Sequence, residues 1–177
     1  MTSYRRAYRA ASTYFFTVNL ADRQGTLLVD HIDALREAVR YTCQRHPFAI
    51  DAMTVLPDHL HAVWTLPPGD ADHSLRWRLI KGFFSRRIPH GEHRCLSRIS
   101  KIERGIWQRR YWEHLIRDQN DLRRHVDYTH YNPVKHGHVS RAADWPHSTL
   151  HREVRAGRLS ADWGVGVGGD AGFGDLG

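Results

Sequence analysis

Two strand-forming runs separated by only two residues set the first constraint on this fold. Phe48–Leu56 and His59–Leu66 are rich in aliphatic, β-branched and aromatic residues, and Pro57-Asp58 is all that joins them. Such runs pair as an antiparallel hairpin, so a sheet is required and the rest of the chain must flank and cover it. Upstream, Tyr14-Phe-Phe-Thr-Val-Asn-Leu20 reads as another strand. Asp30–Arg45 follows with Ile32, Leu35, Ala38, Val39 and Thr42 on helical spacing, and Pro47 stops it. Downstream, Ser74 can cap a helix to about Arg87, with Leu75, Leu79, Ile80, Phe83 and Phe84 apolar. Residues 89–105 lack periodicity and read as a loop. Trp107–Ile116 contains a fourth strand, and Asn120 can cap a last helix from Asp121 to Asn132, ended by Pro133. The order β-α-β-β-α-β-α predicts an α+β fold: a ferredoxin-like antiparallel sheet, two helices on one face, and an added C-terminal helix.

At 177 residues and 41% hydrophobic, the chain can bury a core as one domain, expected over residues 1–163. Gly164–Gly177 holds seven of the 14 glycines and no basic residue, and reads as a flexible tail. No apolar run is long enough to span a membrane, and the first residues, MTSYRRAYRAAS, lack the apolar stretch of a secretory signal. Cys43 and Cys95 give neither a disulfide framework nor zinc-finger spacing, so reduced thiols and a cytoplasmic location, with the nucleoid when DNA-bound, are expected.

The net charge of +7 is regional. Between Arg76 and Arg110, 11 basic and two acidic residues give +9, while the other 142 residues sum to −2. Trp77, Trp107 and Tyr111 lie among these arginines. Guanidinium forks suit phosphates and flat rings suit unstacked bases, so the stretch favours single-stranded nucleic acid over a solvated basic loop.

Within the second hairpin strand, His59-Leu60-His61 places two imidazoles on one sheet face, while Leu60, Ala62 and Trp64 face the other. Two neutral imidazoles can chelate a divalent ion. With 14 histidines, about one His-x-His pair arises by chance, so spacing alone is weak. On the last helix, Leu122, Val126 and Thr129 form a docking stripe, and Tyr128 and Asn132 share another face one turn apart. A helix crossing the open sheet face would bring that phenol and carboxamide to the two imidazoles. Two His and a neutral oxygen leave room on Mg²⁺ or Mn²⁺ for phosphate oxygens and water. Tyr131 and Tyr111 remain alternatives to Tyr128.

At these residues the chain resembles the REP-associated tyrosine transposases of the HUH single-stranded DNA nuclease superfamily. The matching segments are Tyr4-Arg-Arg6, Phe15-Phe-Thr-Val-Asn-Leu20, Leu56-Pro-Asp-His-Leu-His61 and Trp107-Gln-Arg-Arg-Tyr-Trp-Glu-His114. They continue with His125-Val-Asp-Tyr-Thr-His-Tyr-Asn-Pro-Val-Lys-His-Gly137 and Asp144-Trp-Pro-His-Ser-Thr149. The resemblance implies that His59, His61 and Asn132 hold a divalent metal, Mg²⁺ or Mn²⁺, and that Tyr128 is the nucleophile. It also implies that Tyr4, Arg5 and Arg6 read a tetranucleotide beside a hairpin foot, and that the substrate is a REP-type DNA hairpin with single-stranded flanks. Attack by Tyr128 would leave a 5′-phosphotyrosine link and a free 3′-hydroxyl. An ordinary tyrosine titrates near 10, so a proton acceptor is needed; His125, one turn earlier, and water held by the ion both stay open. Lys81, Arg109 and Arg110 are the expected phosphate contacts, and a monomer is expected. A ferredoxin-like nucleic-acid-binding protein without catalysis is the main alternative; a water-driven hydrolase and a domesticated transposase are others.

Overall fold

The computed structural model describes residues 9–91, 98, 100 and 104–165. Tyr4, Arg5, Arg6, Cys95, residues 166–177 and much of the 89–105 segment lie outside the described residues. The elements are β1 (Thr13–Asn19), α1 (Leu27–Asp30), α2 (Ile32–Arg45), β2 (Ala49–Val55), β3 (His59–Thr65), α3 (His73–Arg87), β4 (Trp112–Leu115), α4 (Gln119–Lys135) and α5 (Leu150–Arg155). The sheet order is β2-β3-β1-β4 with every neighbour antiparallel, the ferredoxin-like arrangement.

Strand alternation divides the core in two. Tyr14, Phe16, Val18, Leu60, Ala62 and Trp64 face α2 and α3. Trp64 stacks on Trp77 with centroids 4.1 Å apart. On the other face Phe15, Ala52 and Val63 receive Leu122, Val126 and Tyr128 of α4. Thr129, the third member of the predicted stripe, is fully buried and turns its hydroxyl to the His125 carbonyl at 2.7 Å.

Several local expectations change. The predicted helix from Asp30 starts at Ile32, after the separate turn α1. Asp72, not Ser74, caps α3, its carboxylate accepting from the Leu75 N–H at 2.8 Å; Ser74 instead meets the Tyr111 hydroxyl at 3.1 Å. Asp118, not Asn120, caps α4, accepting from the N–H groups of Asn120 and Asp121. Pro133 does not end α4, which runs to Lys135. A proline so near the terminus costs one hydrogen bond, and the end that follows is well satisfied. His138 N–H donates to the Pro133 carbonyl and Gly137 N–H to Val134, both at 2.9 Å, with Gly137 at φ +71°.

Both sheet edges are managed. Along β2, Val55 N–H donates to His147 O, Thr149 N–H to Met53 O, and Trp145 Nε1 to Val55 O, so residues 145–149 cover the edge. Along β4 the register jumps. Thr17 pairs with Trp112, so an unbroken ladder would put Arg109 opposite Leu20, yet Leu20 meets Trp107. Two residues are therefore extruded and Arg109 and Arg110 are exposed.

Candidate active site and nucleic-acid groove

Because α4 lies across the sheet face opposite α2 and α3, it meets the outward side chains of β3. His59 and His61 are buried, with ring centroids 5.0 Å apart. His61 lies 5.2 Å from the Tyr128 ring and stacks on Phe15 at 5.5 Å; Phe15 meets Tyr128 edge-on at 5.8 Å. Tyr128 is half-buried and Asn132 fully buried. The structure thus brings together His59, His61, Tyr128 and Asn132. Of the alternative tyrosines, Tyr111 sits on the opposite face with its hydroxyl 2.9 Å from His73 Nδ1, and Tyr131 is buried against the chain at Gly164.

Each imidazole is oriented through its Nδ1. The Asp58 carboxylate lies 2.7 Å from His59 Nδ1 and also takes Arg23 Nε at 2.6 Å. Thr17 Oγ1, cross-strand from His61, lies 3.0 Å from His61 Nδ1. Burial pushes His59 below its ordinary value against the pull of Asp58, and pushes His61 further down, helped by the neighbouring His59 and His136. Both rings are therefore neutral bases at neutral pH. His61 Nε2 and both polar atoms of the Asn132 carboxamide are buried without a hydrogen-bond partner, although Asn132 lies beside the His61 ring. Buried polar atoms left without partners are costly unless something meets them. Two oriented imidazoles and a carboxamide oxygen are a donor set that suits a divalent ion, with outer hydrogen bonds of the kind that orient metal-binding histidines. His136 stands 5.1 Å from His59, and Lys135 Nζ lies 4.9 Å over the Tyr128 ring.

A second cluster occupies the first turns of α4. Asp121 takes His114 Nε2 at 2.8 Å, Arg117 N–H at 3.0 Å and His125 Nδ1 at 3.1 Å; the last also lies 2.8 Å from the Asp121 carbonyl. Against the burial that would raise it, the donors from His114 and Arg117 hold Asp121 below the usual carboxylate range. The candidate ligand atoms lie within 4.8 Å of one another, close enough for a metal. However, the two rings are stacked at 4.5 Å and 14° from parallel, so no nearby point lies in both ring planes, where the nitrogen lone pairs point. The arrangement is that of a hydrogen-bonded clamp joining β4 to α4. It, the Thr17 and Asp58 contacts, and Lys135 were not anticipated; Asp121 four residues before His125 was the visible signal.

The basic stretch divides into structural and groove-lining parts. Arg76 is buried and donates to the carbonyls of His46, Pro47 and Asp72 and to Asp70. Arg104 donates to the carbonyls of Ser85, Ile88 and Pro89 at the end of α3, and Arg98 to Trp107 O. The rings expected to stack on bases, Trp77, Trp107 and Tyr111, pack into the core beneath α3 and also line the basic groove, with little of their surface exposed. What remains is a groove of about 910 Å³ lined by Arg78, Lys81, Arg86 and Arg109 among others. Lys81 donates to Gln108 O at 3.1 Å from within it, and Arg110 is exposed beside Arg109. The groove lies on the α3 side of the sheet, and Tyr128 on the α4 side.

A sheet of this topology and the whole-chain sequence are shared with known proteins. Residues 10–131 match the family model described as "Transposase IS200 like", and the chain belongs to that family of transposases. An Escherichia coli (strain K12) REP-associated tyrosine transposase is 47% identical over 163 residues, covering 92% of this chain and 91% of the relative. A Haemophilus influenzae protein named as a candidate member of the same group is 44% identical over 165 residues, covering 93% and 94%. A solved REP-associated tyrosine transposase bound to a REP hairpin superposes with a TM-score of 0.81 at 43% identity, covering 99% of both chains. Within the family, the chain is thus placed among the REP-associated tyrosine transposases.

Proposed function

We propose that this transposase is a metal-dependent single-stranded DNA strand transferase that cuts and rejoins DNA beside REP-type hairpins through a 5′-phosphotyrosine intermediate. The observation that carries this reading is the convergence of two neutral imidazoles, an unpartnered buried carboxamide and a tyrosine on one sheet face. His59 Nε2, His61 Nε2 and Asn132 Oδ1 would hold Mg²⁺ or Mn²⁺, which supplies Lewis-acid stabilisation of phosphate charge when bound. Tyr128 Oη attacks the phosphorus, the P–O3′ bond breaks, and the phenolic proton is lost as the 3′-oxygen gains one. The phosphodiester is conserved in the Tyr128 link, so a 3′-hydroxyl can reverse the step. Phe15 holds the Tyr128 and His61 rings against each other, which limits the geometry that has to be found at each turnover.

The solved relative's hairpin supports a hairpin partner here. Hairpin phosphates are placed in the basic groove, with Lys81, Arg109 and Arg110 among their contacts. Tyr4, Arg5 and Arg6 are the proposed readers of the adjoining bases. Since groove and tyrosine lie on opposite sheet faces, the cut strand rounds the β4 edge where Arg109 and Arg110 are extruded. We further propose that residues 1–163 act as one domain and as a monomer, since Tyr128 and the imidazoles meet within one chain.

The test uses labelled single-stranded DNA carrying a REP-type hairpin, incubated with Mn²⁺ and resolved on a denaturing protein gel. A labelled protein band is expected for the wild type and not for Tyr128→Phe or His61→Ala. Cleavage that persists in Tyr128→Phe would replace this reading with water-driven hydrolysis, and binding without any band would replace it with a binding-only protein.

A further inference from the structure

The site sits at the carboxyl end of α4. Tyr128, Asn132 and Lys135 occupy positions i, i+4 and i+7 of one helix, so they share a face over its last two turns. The final carbonyls of a helix carry partial negative charge, which is unfavourable for a phosphate. Apart from the divalent ion that His59, His61 and Asn132 would hold, the described residues place few positive charges close to this helix end. Both β3 imidazoles are buried and neutral. Arg23 is turned onto the Asp58 carboxylate at 2.6 Å and onto Asn19. Lys135 stands closest to the tyrosine among the described cations that the structure locates here: its Nζ lies 4.9 Å from the centre of the Tyr128 ring, and its charge is felt at His61 and His136.

We propose that Lys135 is a catalytic residue, its ammonium binding a non-bridging oxygen of the scissile phosphodiester on the tyrosine side and stabilising the charge that builds as Tyr128 closes on phosphorus. This rests on Tyr128 being the nucleophile. A phenol losing its proton while approaching an anionic phosphate brings two negative centres together, and a cation above the phenol ring lowers that repulsion. Electrostatic groups aimed at developing charge act mainly in the transition state. In the step, the Oη–P bond forms with a phenol oxygen pair and the P–O3′ bond breaks with its pair leaving on the 3′-oxygen. The net proton transfer runs from phenol to that oxygen. Lys135 stays protonated throughout and makes or breaks no covalent bond.

The experiment measures the rate of covalent adduct formation by the full chain at saturating hairpin DNA in Mn²⁺, for wild type, Lys135→Met and Lys135→Arg. DNA affinity is measured separately for the Tyr128→Phe and Tyr128→Phe/Lys135→Met proteins, and thermal midpoints for all. Lys135→Met is expected to slow adduct formation by about 10²-fold, with Lys135→Arg recovering most of the rate and affinity and midpoint changing little. A rate for Lys135→Met within threefold of wild type would overturn the proposal. So would a defect that disappears at saturating DNA, which would make Lys135 an ordinary backbone contact. So would a drop in thermal midpoint that tracks the rate and is not relieved by Arg, which would make it a packing residue. If wild type itself forms no adduct, the tyrosine reading fails first and this one with it.

Discussion

A carboxylate can only accept hydrogen bonds, and at residue scale that fact assigns the His59 tautomer. With Asp58 at 2.7 Å, Nδ1 carries the proton and Nε2 keeps its lone pair. Asp58→Asn would leave the ring in place but lose the charge that raises its basicity. Mn²⁺ affinity, measured by calorimetry, is expected to fall by about 10- to 100-fold. An unchanged affinity would show that Asp58 serves Arg23 alone. The imidazole pair itself was legible in the sequence, because period-2 alternation places His59 and His61 on one face whatever the register. Their partners were not: Thr17 reaches His61 only because β1 and β3 pair in one register among several that the hydrophobic pattern allows. Arg76 shows the opposite failure. It counted as one more positive charge in a basic run, yet it is buried among four acceptors and ties the end of α2 to the start of α3.

Elements here are held by what lies just beyond their predicted ends. The last helix was legible by its apolar stripe, but Asp118 and Asn120 are both good caps, and only the backbone turn after β4 decides between them. The cover on β2 was invisible to periodicity, since residues 145–149 form no element of their own. That cover continues into α5, where Arg152 donates to the carbonyls of Ile50 and Asp51 at the break in the β2–β3 register. Glu153 holds Arg152 at 2.9 Å and Arg158 at 2.6 Å, and the hydrogen bond from Arg158 leads the effects that lower its carboxyl to about 2. A folded value below the ordinary 4.5 means that the unfolded chain takes up the proton first. The contribution is complete above about pH 4.5 and is lost as pH falls toward 2. Because both arginines are about half exposed, solvent screening reduces it to about 1 kcal/mol. Urea unfolding of Glu153→Gln against wild type should show that gap at pH 7 and its closure between pH 4.5 and 2; a constant gap would point to packing instead.

Across the whole molecule, one sheet separates two kinds of chemistry. The regional charge was legible, but which arginines face outward was not, because carbonyls at the ends of α2 and α3 also take guanidinium groups, as they do Arg76 and Arg104. Arg78 and Arg109 are the outward pair that test the groove. Replacing both by Gln should make the fall of log affinity with log salt shallower by about 1.5, with adduct formation at saturating DNA within threefold of wild type. An unchanged slope would remove the groove from the DNA path. The two faces also share few parts: Phe15 and its neighbours serve one, Trp64 and Trp77 the other, and β1 and β3 contribute alternate residues to each. A protein arranged in this way can be readdressed. If the groove holds the hairpin and Tyr128 makes the cut, as proposed, substitutions that teach the groove a different hairpin leave the tyrosine and its imidazoles untouched, so new targets can be explored one side at a time without rebuilding the other.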